Sequence, residues 1–326
     1  MEIIIIFYII KKINGMVRMM AIPIIDLHCD ALLRLFERGD NFTNAPTLDV
    51  NYEKLQAGNV MAQAFAIFID PDLSPQAKIE SAYKQVVHFQ QLIEAHPNMV
   101  QLINWQDFHT LQPGQIGGFL TIEGVDFFGG DINFWYEFYK FGVLSIGLTW
   151  NMPNEAADGL HSNLGRGVTA FGRDIIKLNN EHKIFTDVTH LHEQSFWHVM
   201  EHADYVIASH SNASTVCKHE RNLTDEQIRA MITKNAPMHV VFFPEFINHT
   251  KQASLRDLIN HIDHISSLGG KHLIGFGSDF DGITTKITGL EHAGMHQNLI
   301  NELLKYYREE DVRGFAYQNF LNHLPK

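Results

Sequence analysis

The sequence contains very few cysteines. Cys29 and Cys217 are the only two among 326 residues. Small secreted domains usually rely on several disulfides, whereas cytosolic thiols stay reduced. Two cysteines so far apart provide no disulfide framework of that kind, and we therefore expect a cytoplasmic protein.

Positive charge is also scarce. Lysine and arginine total 25 against 37 aspartate and glutamate residues, which gives a formal net charge of −12. Such an excess of negative charge repels the phosphates of nucleic acids and the head groups of anionic lipids. We expect neither a nucleic acid nor a membrane as a partner.

The apolar run at the start of the sequence is short. It extends from Ile3 to Ile10, whereas a helix needs roughly 20 residues to cross the hydrocarbon core of a bilayer. Lys11 and Lys12 follow the run, although a secretory signal has its positive charges in front. We expect residues 1–20 to be a poorly attached extension and residues 21–326 to form a single catalytic domain.

Short apolar runs alternate with longer helical stretches from Ile22 onward. Hydrophobic runs without polar alternation are typical of strands buried on both faces of a parallel sheet. Eight strands are predicted at 22–26, 62–69, 117–122, 143–149, 184–188, 205–209, 239–243 and 272–277, and helices at 75–95, 171–182, 193–202, 225–233, 255–268 and 297–307. This order favours an α/β fold, a closed (β/α)8 TIM-type barrel, with an open doubly wound sheet as the alternative.

Residues able to bind a metal or to move a proton follow most of the predicted strands. In a barrel, the carboxyl ends of the strands form the active-site face. The sequence has 20 histidines, and imidazole is the commonest metal ligand. Five strands end next to such residues, namely His28 and Asp30, Glu123, His190, His210 and Asp279.

The chemistry of these residues indicates a metal centre. His28 and Asp30 are two residues apart, so their side chains lie on the same side of an extended chain. Glu123 follows a buried strand, where an unpaired carboxylate is costly. His190 and His210 each follow a strand. Any one of them is also compatible with an ordinary hydrogen bond or salt bridge, but together they fit zinc, including a pair of cations that share a carboxylate.

Two further residues are candidates for the reaction itself. Asp279 follows the last strand and is well placed to carry a proton from water to a leaving amine. Asp281 is an alternative, although an aspartate before a glycine is also typical of a turn. Arg221 has the planar guanidinium that grips a carboxylate in two places, but it is equally compatible with a surface arginine.

The remaining histidines are assigned no chemistry. They include His96 and His261, most of them fall on predicted helices, and we expect them to be exposed. Cys29 lies between two candidate ligands, but its side chain should face the opposite way. We interpret it as a thiol of the core.

Six sequence blocks resemble the signature blocks of the renal (membrane) dipeptidase family. They follow the order of that family from about residue 22 to the end of the sequence, and the stretch from Asp187 to Arg221 is the most specific. The blocks are Asp26-Leu27-His28-Cys29-Asp30, Ile122-Glu123-Gly124, Asp187-Val188-Thr189-His190-Leu191, residues 206–213, residues 221–224 and residues 277–282.

The resemblance implies a (β/α)8 barrel with two zinc ions per chain. His28 and Asp30 would hold one ion, His190 and His210 the other, and Glu123 would bridge both. A metal-bridging hydroxide would then attack the peptide bond of a dipeptide.

The resemblance also assigns the two remaining candidates. Arg221 would hold the terminal carboxylate of the dipeptide, and Asp279 would shuttle the proton. Members of the family often accept a D residue at the second position, and many form homodimers.

Trp150 departs from the family pattern. Where the animal enzymes carry a histidine that helps to bind substrate, the sequence reads Leu148-Thr149-Trp150-Asn151. Indole has one hydrogen-bond donor and no acceptor, so it cannot replace that histidine in the same way. We expect Trp150 to bind substrate and to alter substrate preference.

The sequence therefore predicts a zinc-dependent dipeptidase. A related binuclear-metal hydrolase acting on another small amide or lactam is the alternative, and a metal-binding sensor without turnover is a third reading.

Overall fold

The computed structural model describes residues 21–326, so the predicted extension over residues 1–20 lies outside the described residues. All strand pairs in its sheet are parallel. The strands are β1 Ile24–Asp26, β2 Val60–Phe68, β3 Met99–Gln101, β4 Ile116–Glu123, β5 Val143–Gly147, β6 Phe185–Asp187, β7 Val206–Ile207, β8 Met238–Val240 and β9 Ile274–Phe276.

Eight of the strands form a ring in the order β7-β6-β5-β4-β2-β1-β9-β8, and β3 pairs with the first residues of β4 outside it. The two ends of this order meet where Ala208 bridges Met238, and the N–H of His239 donates to the carbonyl oxygen of Ala208 at 2.9 Å. The fold is thus a nearly closed (β/α)8 barrel. This confirms the predicted barrel and excludes the open doubly wound sheet.

Helices surround the barrel and connect its strands. They are α1 Ala31–Arg38, α2 Tyr52–Ala57, α3 Pro75–Ala95, α4 Asn133–Lys140, α5 Ala170–His182, α6 Glu193–His202, α7 Asp225–Thr233, α8 Pro244–Asn248, α9 Leu255–Ile265, α10 His296–Leu303, α11 Glu309–Arg313 and α12 Asn319–Asn322. Within residues 21–326, no helix combines the length and the hydropathy needed to cross a membrane.

Helix starts follow the local sequence. Ser74 caps α3, and Thr224 begins α7 with a capping box that includes Gln227. The elements that the sequence did not predict are short, such as β3, α2 and α8. The predicted helix 255–268 is too long, because the α-helix ends at Ile265 and a π turn over Ser266–Gly270 follows, in which Gly269 has φ 101°.

Aromatic rings close the end of the barrel at which the strands begin. Phe320 of α12 lies 6.5 Å from Phe119 of β4, 6.3 Å from Phe185 of β6 and 5.7 Å from His239 of β8, measured between ring centroids. These strands alternate around the ring, and side chains from alternate strands share a layer of a barrel interior. The neighbouring Asn319 donates to two backbone carbonyls at and just before the start of β9.

Two histidines expected to be exposed are buried, which corrects the sequence-based expectation. His261 accepts a hydrogen bond from the N–H of Ala213 at 3.1 Å and contacts the carbonyl oxygen of Ile247 at 3.0 Å. His96 likewise has a partner for each ring nitrogen. A neutral imidazole with both nitrogens bonded can be buried at little cost. Cys29 is fully buried and donates to the carbonyl oxygen of Ala64, in keeping with a core thiol.

Candidate metal centre

Six polar side chains meet at the end of the barrel where the strands finish. Three overlapping sets of them offer ligand atoms that all lie within 4.8 Å of one another. The members are His28 and Asp30 after β1, Glu123 at the end of β4, His190 after β6, His210 after β7 and Asp279 after β9. The structure therefore brings every predicted ligand and the predicted proton carrier to one place.

Glu123 lies in the middle of this group. Its Oε2 is 3.4 Å from Nε2 of His28, whereas its Oε1 is 2.8 Å from Nε2 of His190 and 3.6 Å from Nε2 of His210. One oxygen of the carboxylate thus faces His28, and the other faces His190 and His210. This geometry is suited to a carboxylate shared by two cations.

His28 and Asp30 leave donor atoms unused on the first side. Nε2 of His28 is 3.6 Å from Oδ2 of Asp30, yet this nitrogen and Oδ1 of Asp30 are buried without a hydrogen-bond partner among the described residues. Asp30 precedes α1 but its side chain caps no N–H group of that helix. Buried polar atoms without partners are rare, and a cation would satisfy both of these.

The two histidines on the second side are oriented through their other ring nitrogens. Nδ1 of His190 bonds Oδ1 of Asn151 at 2.7 Å, and Nδ1 of His210 bonds Oγ of Ser209 at 2.8 Å. Both Nε2 atoms consequently face inward, only 3.0 Å apart. Neutral imidazole nitrogens that face inward in this way are suited to binding a cation.

The backbone around the site is in a conformation that few residues adopt. His190 has φ 69° and Asp279 has φ 62°, both in the left-handed region. Gly282 comes so close to the site that a Cβ there would lie 2.2 Å from Oδ2 of Asp30 and 2.3 Å from Oδ1 of Asp279. Strain of this kind persists where the surrounding contacts impose it, which is common at functional sites.

Arg221 enters the site from the loop that follows β7. One of its terminal nitrogens is 3.2 Å from Nε2 of His190 and donates to the carbonyl oxygen of His210 at 3.4 Å, and its guanidinium lies 5.3 Å from the ring centroid of Phe246. The side chain is buried, and the hydrogen-bond partners of its guanidinium among the described residues are this ring nitrogen and this carbonyl, not a carboxylate. A buried guanidinium that is not bonded to a carboxylate is suited to an anionic ligand.

A cavity of about 420 Å³ opens above these groups. Arg221 and Asp279 line it on the polar side, and Phe68, Trp150 and Phe243 are among its apolar walls. Trp150 is half-buried, with its ring edge-on to Phe68 at 5.3 Å. A small ligand can therefore contact the metal-ligating groups, the arginine and an aromatic wall at once.

The charges of the site displace several pKa values. Burial alone would lower the pKa of His28, but Glu123 and Asp30 raise it well above the ordinary value. Burial and Arg221 lower the pKa of His190 to about 4. Burial raises the pKa of Asp279 well above the ordinary value, and the nearby carboxylates of Asp30 and Glu123 add to this effect.

Asp281 has a different role from the one considered for it. Its two carboxylate oxygens accept the backbone N–H groups of Asp49 and Val50 at 2.7 and 2.9 Å, which anchors the loop before α2. Burial and the charge of Asp49 raise the pKa of Asp281 to about 7. These partners belong to a distant loop and not to the turn at Gly282, so the turn interpretation does not account for them, and Asp279 remains the carboxylate beside His28, at 3.9 Å.

Sequence reasoning missed the side chains that support the candidate ligands. Asn151 directly follows Trp150, and this position next to a candidate substrate-binding residue is the only hint in the sequence that Asn151 contacts His190. Asp26 and Asp187 lie within the family-like blocks, but their partners come from distant strands. Only the folded chain reveals those contacts.

Comparison with known proteins gives a family match over most of the chain. The family model described as membrane dipeptidase, peptidase family M19, matches residues 15–326. A dipeptidase of Aspergillus oryzae is 27% identical over 329 residues, which cover 93% of this chain and 78% of the relative. An uncharacterized protein from the pqqA 5′ region of Klebsiella pneumoniae is 32% identical over 242 residues, or 70% and 89% of the two chains.

Solved structures share the same fold. One is a metallopeptidase from Rhodobacter sphaeroides, crystallised with a phosphinate mimic of the dipeptide L-Ala-D-Ala. It superposes with a TM-score of 0.87 at 24% identity, covering 93% of this chain and 99% of that one.

Proposed function

The chain belongs to the membrane dipeptidase family, peptidase family M19, and from this premise we propose that it is a zinc-dependent dipeptidase whose active site is the centre around Glu123. Membership of this metallopeptidase family and the dipeptidase relative make it a metal-dependent hydrolase of peptide bonds. What we propose in addition is that the metal is zinc, that the residues around Glu123 bind it, and that the substrate is a dipeptide. The observation that carries it is the position of the Glu123 carboxylate between two groups of nitrogen and oxygen donors.

The donor set fits two zinc ions. His28 and Asp30 would hold one, His190 and His210 the other, and Glu123 would bind both through its separate oxygens. When bound, such a pair supplies Lewis acidity toward the scissile carbonyl and lowers the pKa of a water molecule. Support comes from the unpartnered Nε2 of His28 and Oδ1 of Asp30, and from the two inward-facing imidazole nitrogens.

Arg221 is proposed to hold the free terminal carboxylate of the substrate. Its guanidinium is buried at the wall of the cavity, and its hydrogen-bond partners among the described residues are His190 and the carbonyl oxygen of His210, not a carboxylate. The planar fork of an arginine binds a carboxylate in two places, which fixes the orientation of a small peptide. A dipeptide held in this way has its single peptide bond near the ligands.

Asp279 is proposed to move the proton. Its Oδ1 lies 3.9 Å from Nε2 of His28, and its carboxyl lines the same cavity as Arg221. A carboxylate in this position can take a proton from the attacking water and donate it to the leaving amine nitrogen.

Trp150 is proposed to contact the substrate through its ring face. It shares the cavity with Phe68 and Phe243, so apolar side chains of a dipeptide have an aromatic wall to pack against. We also propose a cytoplasmic location, for which the two free, buried cysteine thiols are the support.

The test is a substrate and metal panel on the purified protein. We expect close to two zinc equivalents per chain and hydrolysis of free dipeptides, beginning with L-Ala-D-Ala, the dipeptide whose mimic the Rhodobacter sphaeroides enzyme binds. Chelation should abolish the activity, and zinc should restore it. A chelated protein with full activity would rule out the proposed mechanism.

The role of Arg221 is tested by comparing a dipeptide that has a free C-terminal carboxylate with one that does not. Arg221→Met should lower kcat/KM for the free dipeptide by at least about 30-fold, since losing one partner of a buried charge pair costs 2 kcal/mol or more. A C-terminally amidated dipeptide should be a poor substrate for both forms and should not distinguish them. Equal losses on both substrates, or preference for a cyclic amide, would instead favour the related amide or lactam hydrolase.

A further inference from the structure

Two buried aspartates, Asp26 and Asp187, are part of neither the ligand set nor the proposed chemistry. Asp26 is the last residue of β1 and Asp187 the last residue of β6, and both side chains are buried. Each is followed within a few residues by a candidate ligand. Buried carboxylates are costly unless their oxygens are well bonded, so their partners indicate what they do.

The partners of Asp187 are the backbones of the two histidine segments. Its Oδ1 accepts the N–H of Thr189 at 3.0 Å and the N–H of Ser209 at 3.1 Å. Thr189 directly precedes His190, and Ser209 directly precedes His210. One carboxylate oxygen therefore fixes the spacing between the chain segments that carry both second-side histidines.

Asp26 forms the equivalent contacts on the other side. Its Oδ1 accepts the N–H of Ser278 at 2.8 Å and the N–H of His28 at 3.4 Å, and its Oδ2 accepts the Ser278 hydroxyl at 2.6 Å. Ser278 directly precedes Asp279. His296 of α10 packs against the same carboxylate at 3.5 Å from Oδ2.

The two aspartates thus use the same local pattern. Each accepts the N–H two residues ahead of it, as in an Asx turn, and a second N–H from a segment that follows another strand. A segment bonded by Asp187 leads into His190, and a segment bonded by Asp26 leads into Asp279. Both of these residues have positive φ. A conformation of that kind needs outside contacts to persist.

We propose that Asp26 and Asp187 are positioning residues that hold the two halves of the centre separately, Asp187 the His190 and His210 pair and Asp26 the His28 and Asp279 pair. This proposal rests on the proposed function in so far as those residues bind metal. Neither aspartate touches the substrate or a metal in it. Each acts by keeping donor atoms at the right separation before the metal arrives, as outer partners of metal ligands do.

The experiment measures metal binding to the chelator-treated full chain, titrated with Co²⁺ in competition with a chromogenic chelator and followed by cobalt absorption bands. Asp187→Ala should weaken one of the two equivalents by about 10- to 100-fold and leave the other unchanged. Asp26→Ala should weaken the binding of the other metal equivalent and leave the binding of the first unchanged. Asp187→Asn should restore most of the affinity, because its amide oxygen can accept the same two N–H groups.

A double-mutant comparison assigns each aspartate to its half. In a chain that already carries His190→Ala, adding Asp187→Ala should cause little further loss, whereas adding Asp26→Ala should cause the full loss, since effects on a shared partner are not additive. Asp107→Ala is the matched control, because Asp107 also accepts two backbone N–H groups but lies near Trp105 at the opposite end of the barrel.

Several results would overturn the proposal. These are equal weakening of both equivalents by either variant, unchanged binding in both, or an Asn variant as weak as the Ala variant. If Asp187→Ala does not fold, Asp187→Glu gives the same comparison, because it keeps the charge and displaces the acceptor oxygen. The readout is independent of turnover: selective metal loss without any dipeptide hydrolysis would reject the proposed function alone, and hydrolysis with unaltered binding in the variants would reject this inference alone.

Discussion

The two ends of the barrel are built from the same strands but have opposite character. Where the strands finish, carboxylates and imidazoles converge, and Nε2 of His28 and Oδ1 of Asp30 are buried without a hydrogen-bond partner among the described residues. Where the strands begin, Phe320 packs against rings from alternate strands. At the finishing end, polar ligand atoms are buried at a cost in stability. At the starting end, the packed aromatic rings contribute stability that offsets this cost.

This comparison predicts that activity and stability can be separated by substitution. Changes at the finishing end should affect metal binding and turnover while the fold persists. Changes at the starting end should affect the free energy of unfolding while the site keeps its chemistry.

The largest effect is expected for Glu123→Gln. The amide keeps the shape but loses the negative charge that faces both groups of donors, so kcat should fall by more than the roughly 100-fold typical of losing an outer partner of a ligand. Zinc content should fall below two equivalents, as measured by metal analysis. Thermal unfolding of the metal-free protein should be nearly unchanged, and Glu94→Gln on the exposed face of α3 is the control.

Phe320→Ala should have the reverse signature. Removing a buried phenylalanine that packs on three strands should lower the free energy of unfolding by about 3–5 kcal/mol. Denaturant unfolding measures this loss, and kcat/KM of the remaining folded protein should stay within a few-fold of the parent. A variant that kept its stability but lost its metal would contradict the division between the two ends.

The buried histidines extend the comparison between chemistry and stability, because some of them are candidate metal ligands and others, such as His261, contribute only to the fold. Burial lowers the pKa of His261 to about 4 from its ordinary value of 6.5. Its stabilising contribution is therefore complete above pH 6.5 and is lost as the pH falls toward 4, up to about 3 kcal/mol. Denaturant unfolding of the metal-free chain between pH 7.5 and 4.5 should show a shallower loss for His261→Gln, whose amide can keep both hydrogen bonds. Parallel curves for the two proteins would be evidence against this role.

The smallest effect is expected for Asn151, which contacts a ligand without being one. Asn151→Ala removes the acceptor for Nδ1 of His190 and should weaken metal binding by about 10- to 100-fold. Asn151→Asp keeps an acceptor oxygen and should weaken it less. Chelator competition measures both, and equal effects of the two substitutions would show that orientation of the ring is not what Asn151 provides.

Much of the fold was predictable because its pattern repeats. Most of the buried strands lie in near-continuous hydrophobic runs, and helices such as α3 and α7 begin at clear caps. The missed elements carry weaker signals. β3 has three residues, and α4 consists largely of aromatic residues without a capping side chain, so neither length nor propensity indicates it.

The candidate site divides in the same way. His28, Glu123 and His210 could be selected because metal-binding residue types recur at equivalent strand ends. Asn151 and Asp187 could not, since an amide or a carboxylate acquires its role from a backbone or ring that only tertiary folding brings near. The corrected expectation for His261 has the same origin, because its partners lie on two other segments.

The aromatic closure by Phe320 also has a consequence for biosynthesis. About 200 positions separate it from Phe119, so this contact belongs to the long-range class that slows folding. During translation, the early strands cannot pack against Phe320 until α12 has left the ribosome, so their inner surfaces stay exposed until then. We therefore expect nascent chains arrested before that helix to be held by chaperones and readily digested by proteases.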